Sequence, residues 1–195
     1  MENNDLREVL SYLNSTQNKL IAELNNHDLN QFPADGGWSA GQVMIHLIKT
    51  EKYLYPLFSL VPRLIRSQKL LDKLDWLNTL LSKMAGMNFL SNGDQLPKEF
   101  NQVQLETFKG RFTAPAFLKP RRQKYNLDDL LQKREAARTK TLTALRKANL
   151  SRLQQLRFSH PILGSFTLIE FVLFIGKHEE WHTEQLKRIK ASSKG

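Results

Sequence analysis

His178-Glu-Glu-Trp-His182 sets two imidazoles four residues apart. On a helix that spacing puts them on one face, close enough to share a metal ion. A third imidazole, His46, sits among Val43, Leu47 and Leu54, which are apolar at helical spacing. Three histidines turned inward from two helices are neutral ligands, so a divalent ion they hold keeps its full charge and open positions for water or substrate. Such an ion lowers the pKa of a bound water, which serves hydrolysis, or of a bound thiol, which serves thiol transfer. Imidazole suits Zn and Ni and does not choose sharply between them. The alternative is that each is an ordinary core histidine; three partly buried imidazoles then need several separate hydrogen-bond partners.

The same stretch matches His-Glu-x-x-His formally, yet a zincin needs that Glu as a water-activating base over a protease cleft, and nothing else here supports a protease. Glu179 and Glu180 are expected off the ligand face and solvated. Gln185, one turn past His182, can contact a ligand or the group behind one, or be a plain polar bundle residue. Trp181 is expected to pack in the core. His160 precedes Pro161 in an expected loop with local hydrogen bonds, and His27 is expected to be exposed; neither joins the metal set. No carboxylate stands out as a general base, so the catalytic residues stay unknown.

The chain has no cysteine. Disulfides, thiolate-bound zinc, Fe–S clusters and a cysteine nucleophile are therefore excluded, and any sulfur nucleophile must arrive with a cosubstrate.

Helical periodicity carries these residues. Leu6, Val9, Leu10, Leu13, Leu20, Ile21 and Leu24 predict a first helix capped by Asp5 with Glu8 and ending near Asn25-Asn26. Ser39 with Gln42 predicts a capping box for the second, along which Val43, His46, Leu47, Thr50, Tyr53, Leu54 and Leu57 share a face; Pro56 and Pro62 mark its kink or end. A further helix is predicted over Ser67–Met84, another from Asn126 to Lys147, and a last one from Ser165 or Thr167 to about Lys190. No stretch alternates convincingly with period two, and no repeat is visible. The 195 residues predict a single all-α domain over 1–195, most economically a four-helix bundle.

Trp38-Ser39-x-x-Gln42-x-x-x-His46-Leu47 early, His160-Pro161-x-x-Gly164 late, and His178-x-x-x-His182-x-x-Gln185 on the last helix occur in the order seen in one family. The chain resembles the DinB/YfiT-like superfamily of bacterial damage-inducible proteins from about Asp5 to Ile189. The resemblance implies a bundle of up-down-down-up topology and a metal held by three histidines, falling here on His46, His178 and His182. Members include thiol-dependent S-transferases using bacillithiol or mycothiol, metal-dependent hydrolases, and proteins of unknown activity. The chain departs from compact members in a longer stretch between His46 and His178, expected as an insertion over about 62–120, between the second and third bundle helices.

With 29 Lys+Arg against 19 Asp+Glu, the net charge is +10. Lys119, Arg121, Arg122, Lys124, Lys133, Arg134, Arg138, Lys140, Arg146, Lys147, Arg152 and Arg157 are better read as a solvated helix face than as a nucleic-acid surface, since no helix-turn-helix, RRM or aromatic-interleaved motif accompanies them. A few of them could attract an anionic substrate. The N-terminus lacks a signal-peptide pattern, and the longest apolar run, Phe166–Ile175, is broken by Glu170 and too short to span a bilayer. The expectation is a cytoplasmic, metal-dependent S-transferase or hydrolase acting on a small molecule, with a low-molecular-weight thiol such as bacillithiol as partner, neither membrane nor nucleic acid, and a homodimer as the candidate assembly. The rival is a non-catalytic stress-response or ligand-binding module on the same bundle.

Overall fold

The computed structural model describes residues 3–60, 62, 114, 116–160 and 164–192. Most of the expected insertion, and all of the helix predicted over Ser67–Met84, lie outside the described residues. Helix α1 spans Asn3–Leu24, α2 Ala40–Ser59, α3 Leu127–Lys147, the short α4 Leu150–Gln155, and α5 Leu168–Ser192, with a 3-10 turn at Ala116–Leu118.

The caps are those that the side chains dictate. Ser39 Oγ accepts from the Gln42 amide at 3.3 Å while Gln42 Oε1 accepts from the Ser39 amide at 3.1 Å, so two of the donors a helix start leaves unpaired are satisfied reciprocally. Thr167 and Glu170 do the same for α5, which decides between the two caps the sequence offered. Asn126 Oδ1 accepts from the Asp129 amide at 3.0 Å and opens α3. The first helix departs from expectation: it begins at Asn3, so the backbone of Asp5 lies inside the helix and not at its start. Pro56 is carried inside α2, which continues to Ser59.

The described residues fall into two compact units, one drawn from 1–52, 112–142 and 174–195, the other from 53–111 and 143–173. In the first, Leu20 and Leu24 of α1, Val43, Met44, Leu47 and Ile48 of α2, Leu130 of α3, and Leu186 and Ile189 of α5 form one buried cluster. Fully burying each such side chain is worth about 1.5–3 kcal/mol. Gly41 permits the close entry into α2: its amide donates to the Leu29 carbonyl at 2.9 Å, and a Cβ there would stand 2.8 Å from that oxygen. Asn30 brackets Tyr125, donating to its carbonyl at 3.1 Å and accepting from its amide at 2.7 Å, which ties the loop after α1 to the segment before α3.

In the second unit, α4 and an antiparallel hairpin were not anticipated. Strands β1 (Arg157–His160) and β2 (Gly164–Thr167) pair Phe158 with Phe166 and Ser159 with Ser165. Four-residue strands give only two cycles of alternation, too few to stand out as period two. The helical class therefore holds with this small addition, and the backbone of His160 belongs to a strand end, not to a loop.

Candidate metal centre

The capping box at Ser39 aims α2 so that His46, two turns along, is buried. Thr50 Oγ1 donates back to the His46 carbonyl at 2.9 Å. On α5, the four-residue interval brings His178 and His182 edge to face, ring centroids 4.6 Å apart. His46 meets both, with centroids 5.2 Å from His178 and 5.1 Å from His182. One nitrogen from each of the three lies within 4.8 Å of the others. The three sequence candidates are thus brought together.

The outer nitrogens decide how the inner ones face. His46 Nδ1 lies 3.2 Å from the Leu118 carbonyl, which can only accept, so that nitrogen carries the proton. His182 Nδ1 lies 2.7 Å from Gln185 Oε1, likewise an acceptor. Both Nε2 atoms are then bare lone pairs, and both point at His178 Nε2, at 3.4 Å and 3.0 Å. A single N–H on His178 can serve one of them and leaves the other lone pair without a donor. A cation satisfies all three at once. Two nitrogens each 2.0–2.1 Å from a tetrahedral zinc stand about 3.3–3.4 Å apart, close to the spacings found. The residues fit a divalent ion.

The surroundings keep these rings neutral. Burial, then the charge of His46, pulls the His182 pKa down to about 4, although Gln185 favours its proton. Burial also depresses His46, with Lys49 adding to it, and holds His178 well below the imidazole range, reinforced by His182, His46 and Arg134. Ligands already neutral at neutral pH have no proton to shed before a metal binds. In the metal-free protein the same shifts have a stability consequence. Between the ordinary value of 6.5 and about 4, the unfolded chain takes up protons at these positions that the folded chain refuses. Stability is therefore full above that window and falls as pH drops through it. Urea midpoints of chelator-treated protein across the window should show the decline, and His182→Gln should make it shallower.

A family model described as DinB superfamily matches residues 10–186. The chain belongs to the DinB superfamily. No match was found among curated proteins or among solved structures.

In this DinB-superfamily chain two aromatic residues to which the sequence reading gives no role pack against the histidines. Trp38 lies against His46, centroids 4.9 Å apart, and stacks near-parallel with His182 at 6.5 Å. Phe174 stacks on His178 at 5.8 Å. Both rings are half-buried and pack against the imidazoles. Gln185 bonds His182 directly, so it is more than a polar bundle residue. Trp181 is half-buried. His27 is not exposed: its side chain is 3% accessible and lies 3.3 Å from Glu23 Oε1, one helical turn back.

Two further expectations are corrected. Glu179 is not solvated but 1% exposed, and it accepts from Thr16 Oγ1 at 2.5 Å and from the guanidinium groups of Arg134 and Arg138. Arg134 and Arg138 accordingly leave the solvated basic face assigned to them; Lys119, Arg121, Arg122, Lys124, Lys133, Lys140, Arg146 and Lys147 remain exposed. The physical reason lies in the width of the buried stripes. On α5 the buried positions include Val172, Ile175, Glu179, Thr183 and Leu186, so Glu179 lies within the buried stripe and the histidines on its flank. Held there by two guanidiniums, Glu179 is unavailable as a zincin-type base. Glu180, by contrast, pairs with Lys177 at 3.0 Å near the surface.

Among the described residues, no helix is long and apolar enough to cross a membrane.

Proposed function

We propose that this chain is a metal-dependent enzyme of the DinB superfamily, with His46, His178 and His182 holding a zinc or nickel ion and with a small-molecule substrate. The carrying observation is that two bare Nε2 lone pairs converge on a third imidazole while the outer nitrogens are pinned by Leu118 and Gln185. When bound, the ion supplies Lewis acidity and lowers the pKa of a thiol or water placed beside it. The protein's own groups do the rest: Leu118 and Gln185 fix the tautomers, and Trp38 and Phe174 pack against the imidazole rings. With no cysteine in the chain, a thiol reaction draws its sulfur from a cosubstrate such as bacillithiol. Thiol transfer and hydrolysis both fit such a site; among the described residues the cluster that could hold a metal is made of the three histidines alone.

The same reading takes residues 1–195 as one DinB-like domain, its long helices running up-down-down-up and about 62–120 inserted between the second and third. The family match over 10–186 supports it. Location in the cytoplasm and a homodimeric assembly complete the proposal.

Elemental analysis of purified protein tests the metal, and turnover of an electrophilic substrate with and without a low-molecular-weight thiol tests the reaction. Activity that ignores the thiol while an ester or amide is hydrolysed would decide for a hydrolase over a transferase. Gln185→Leu gives a sharper check. It removes the acceptor that orients His182, and loss of such an outer partner lowers metal affinity by about 10–100-fold. Competition with a chromophoric chelator reads that change.

A further inference from the structure

Arg134 and Arg138 sit one helical turn apart on α3, 0% and 1% exposed, and neither belongs to the histidine cluster. Arg134 Nη1 lies 2.6 Å from Glu51 Oε2 on α2, and Arg138 Nη2 lies 3.3 Å from the same oxygen. Both guanidiniums also reach Glu179 Oε1 on α5. From α1, Thr16 donates to Glu179 and Gln17 Oε1 accepts from Arg138 Nε at 3.2 Å, while the Gln17 amide donates to Glu135 at 3.0 Å. Helices α1, α2, α3 and α5 all contribute to this buried cluster.

As a stabilising device it is poor. Taking four charges out of water is costly, and well-packed apolar residues in their place are often neutral or better. Satisfaction is also incomplete: Glu51 Oε1, Arg134 Nε and Arg138 Nη1 have no hydrogen-bond partner among the described residues. What such a cluster does supply is a fixed geometry, because a guanidinium fork meets a carboxylate in few orientations.

The two carboxylates are placed where that geometry matters. Glu179 follows His178 directly, and Glu51 lies little more than one turn beyond His46. The helices that carry the histidines therefore each hand a carboxylate to the same pair of arginines on a third helix. A slip of α2 past α5 by one residue would move a side chain 1.5 Å along the axis and swing it far round it. The nitrogens are only 3.0 and 3.4 Å apart, so no such slip is tolerable.

We propose that Arg134 and Arg138 are positioning residues of the three-histidine centre, clamping α2 and α5 through Glu51 and Glu179 in the register that makes the Nε2 atoms converge. The proposal rests on the metal reading above and adds residues that touch neither metal nor substrate.

The test replaces the whole quartet at once, Glu51→Met, Arg134→Met, Arg138→Met and Glu179→Met, so that no charge is left stranded. We expect a cooperative urea transition at or near the wild-type midpoint, together with Co2+ affinity reduced about 10–100-fold and a displaced Co2+ d–d absorption band. An unchanged affinity with a superimposable band would overturn the clamp. Should the quartet not fold, Arg134→Lys keeps the charge and loses the fork; a Co2+ spectrum and affinity matching wild type would then refute the proposal, and a shifted spectrum would support it. If wild-type protein takes up no Co2+, the metal reading itself fails. The clamp is then decided on metal-free protein by the 1H–15N spectra of the imidazoles: separate, fixed tautomers in wild type that average together in the variant support it, and identical spectra reject it.

Discussion

His178→Ala abolishes stoichiometric metal binding while the protein stays folded. His178 is the ring both other histidines address, at 3.4 Å and 3.0 Å, so its loss removes the middle donor and leaves two imidazoles that no longer share a neighbour. The fall in affinity should exceed the about 10–100-fold that accompanies loss of an outer hydrogen-bond partner, because a ligand bond itself is gone. Thiol-dependent turnover should vanish with it. Elemental analysis and chelator competition measure the first, and a urea transition shows that the fold survives. The comparison also separates a metal centre from three core histidines that merely bond one another. In the second case the same substitution would shift the urea midpoint and leave metal content at the wild-type level.

How far the sequence reaches is clear from particular residues. His46, His178 and His182 were legible because their spacing repeats the helical period and because little else on those faces can do chemistry. The caps at Ser39 and Thr167 were legible because capping is local, set by residues three apart. The β1–β2 hairpin was too short to leave a period, and its pairing depends on contacts across a turn. Leu118 could not be read at all, since it acts on His46 through a backbone carbonyl that every residue possesses. The buried arginines did leave a trace. Leu130, Arg134, Ala137, Arg138, Thr141 and Leu145 follow one helical stripe, and charges inside an apolar stripe call for buried partners. Composition hid that trace, because in a chain of charge +10 another arginine looks like surface.

The partner of those arginines yields the other large effect. Glu179→Ala leaves two guanidiniums that are 0% and 1% exposed to share Glu51 alone, one buried charge uncompensated, and it leaves Thr16 Oγ1 without its carboxylate. Removing one side of a buried ion pair costs about 3–5 kcal/mol, chiefly for the charge left uncompensated. Set against a total stability of about 5–15 kcal/mol for a domain, that is a large share of what holds the protein folded. Glu180→Ala is the matched control, one residue away and equally acidic. Its pair with Lys177 is 36% and 27% exposed, a class of contact worth about 0–1 kcal/mol. Urea denaturation of the two variants should therefore separate sharply, with Glu180→Ala near wild type. Equal midpoints would mean that Glu179 is solvated after all, as its bare position in His-Glu-Glu-Trp-His suggests, and that α5 is rotated from the orientation that brings His178 and His182 to His46. The position of a single carboxylate thus reports on the rotation of the helix that carries two of the three histidines.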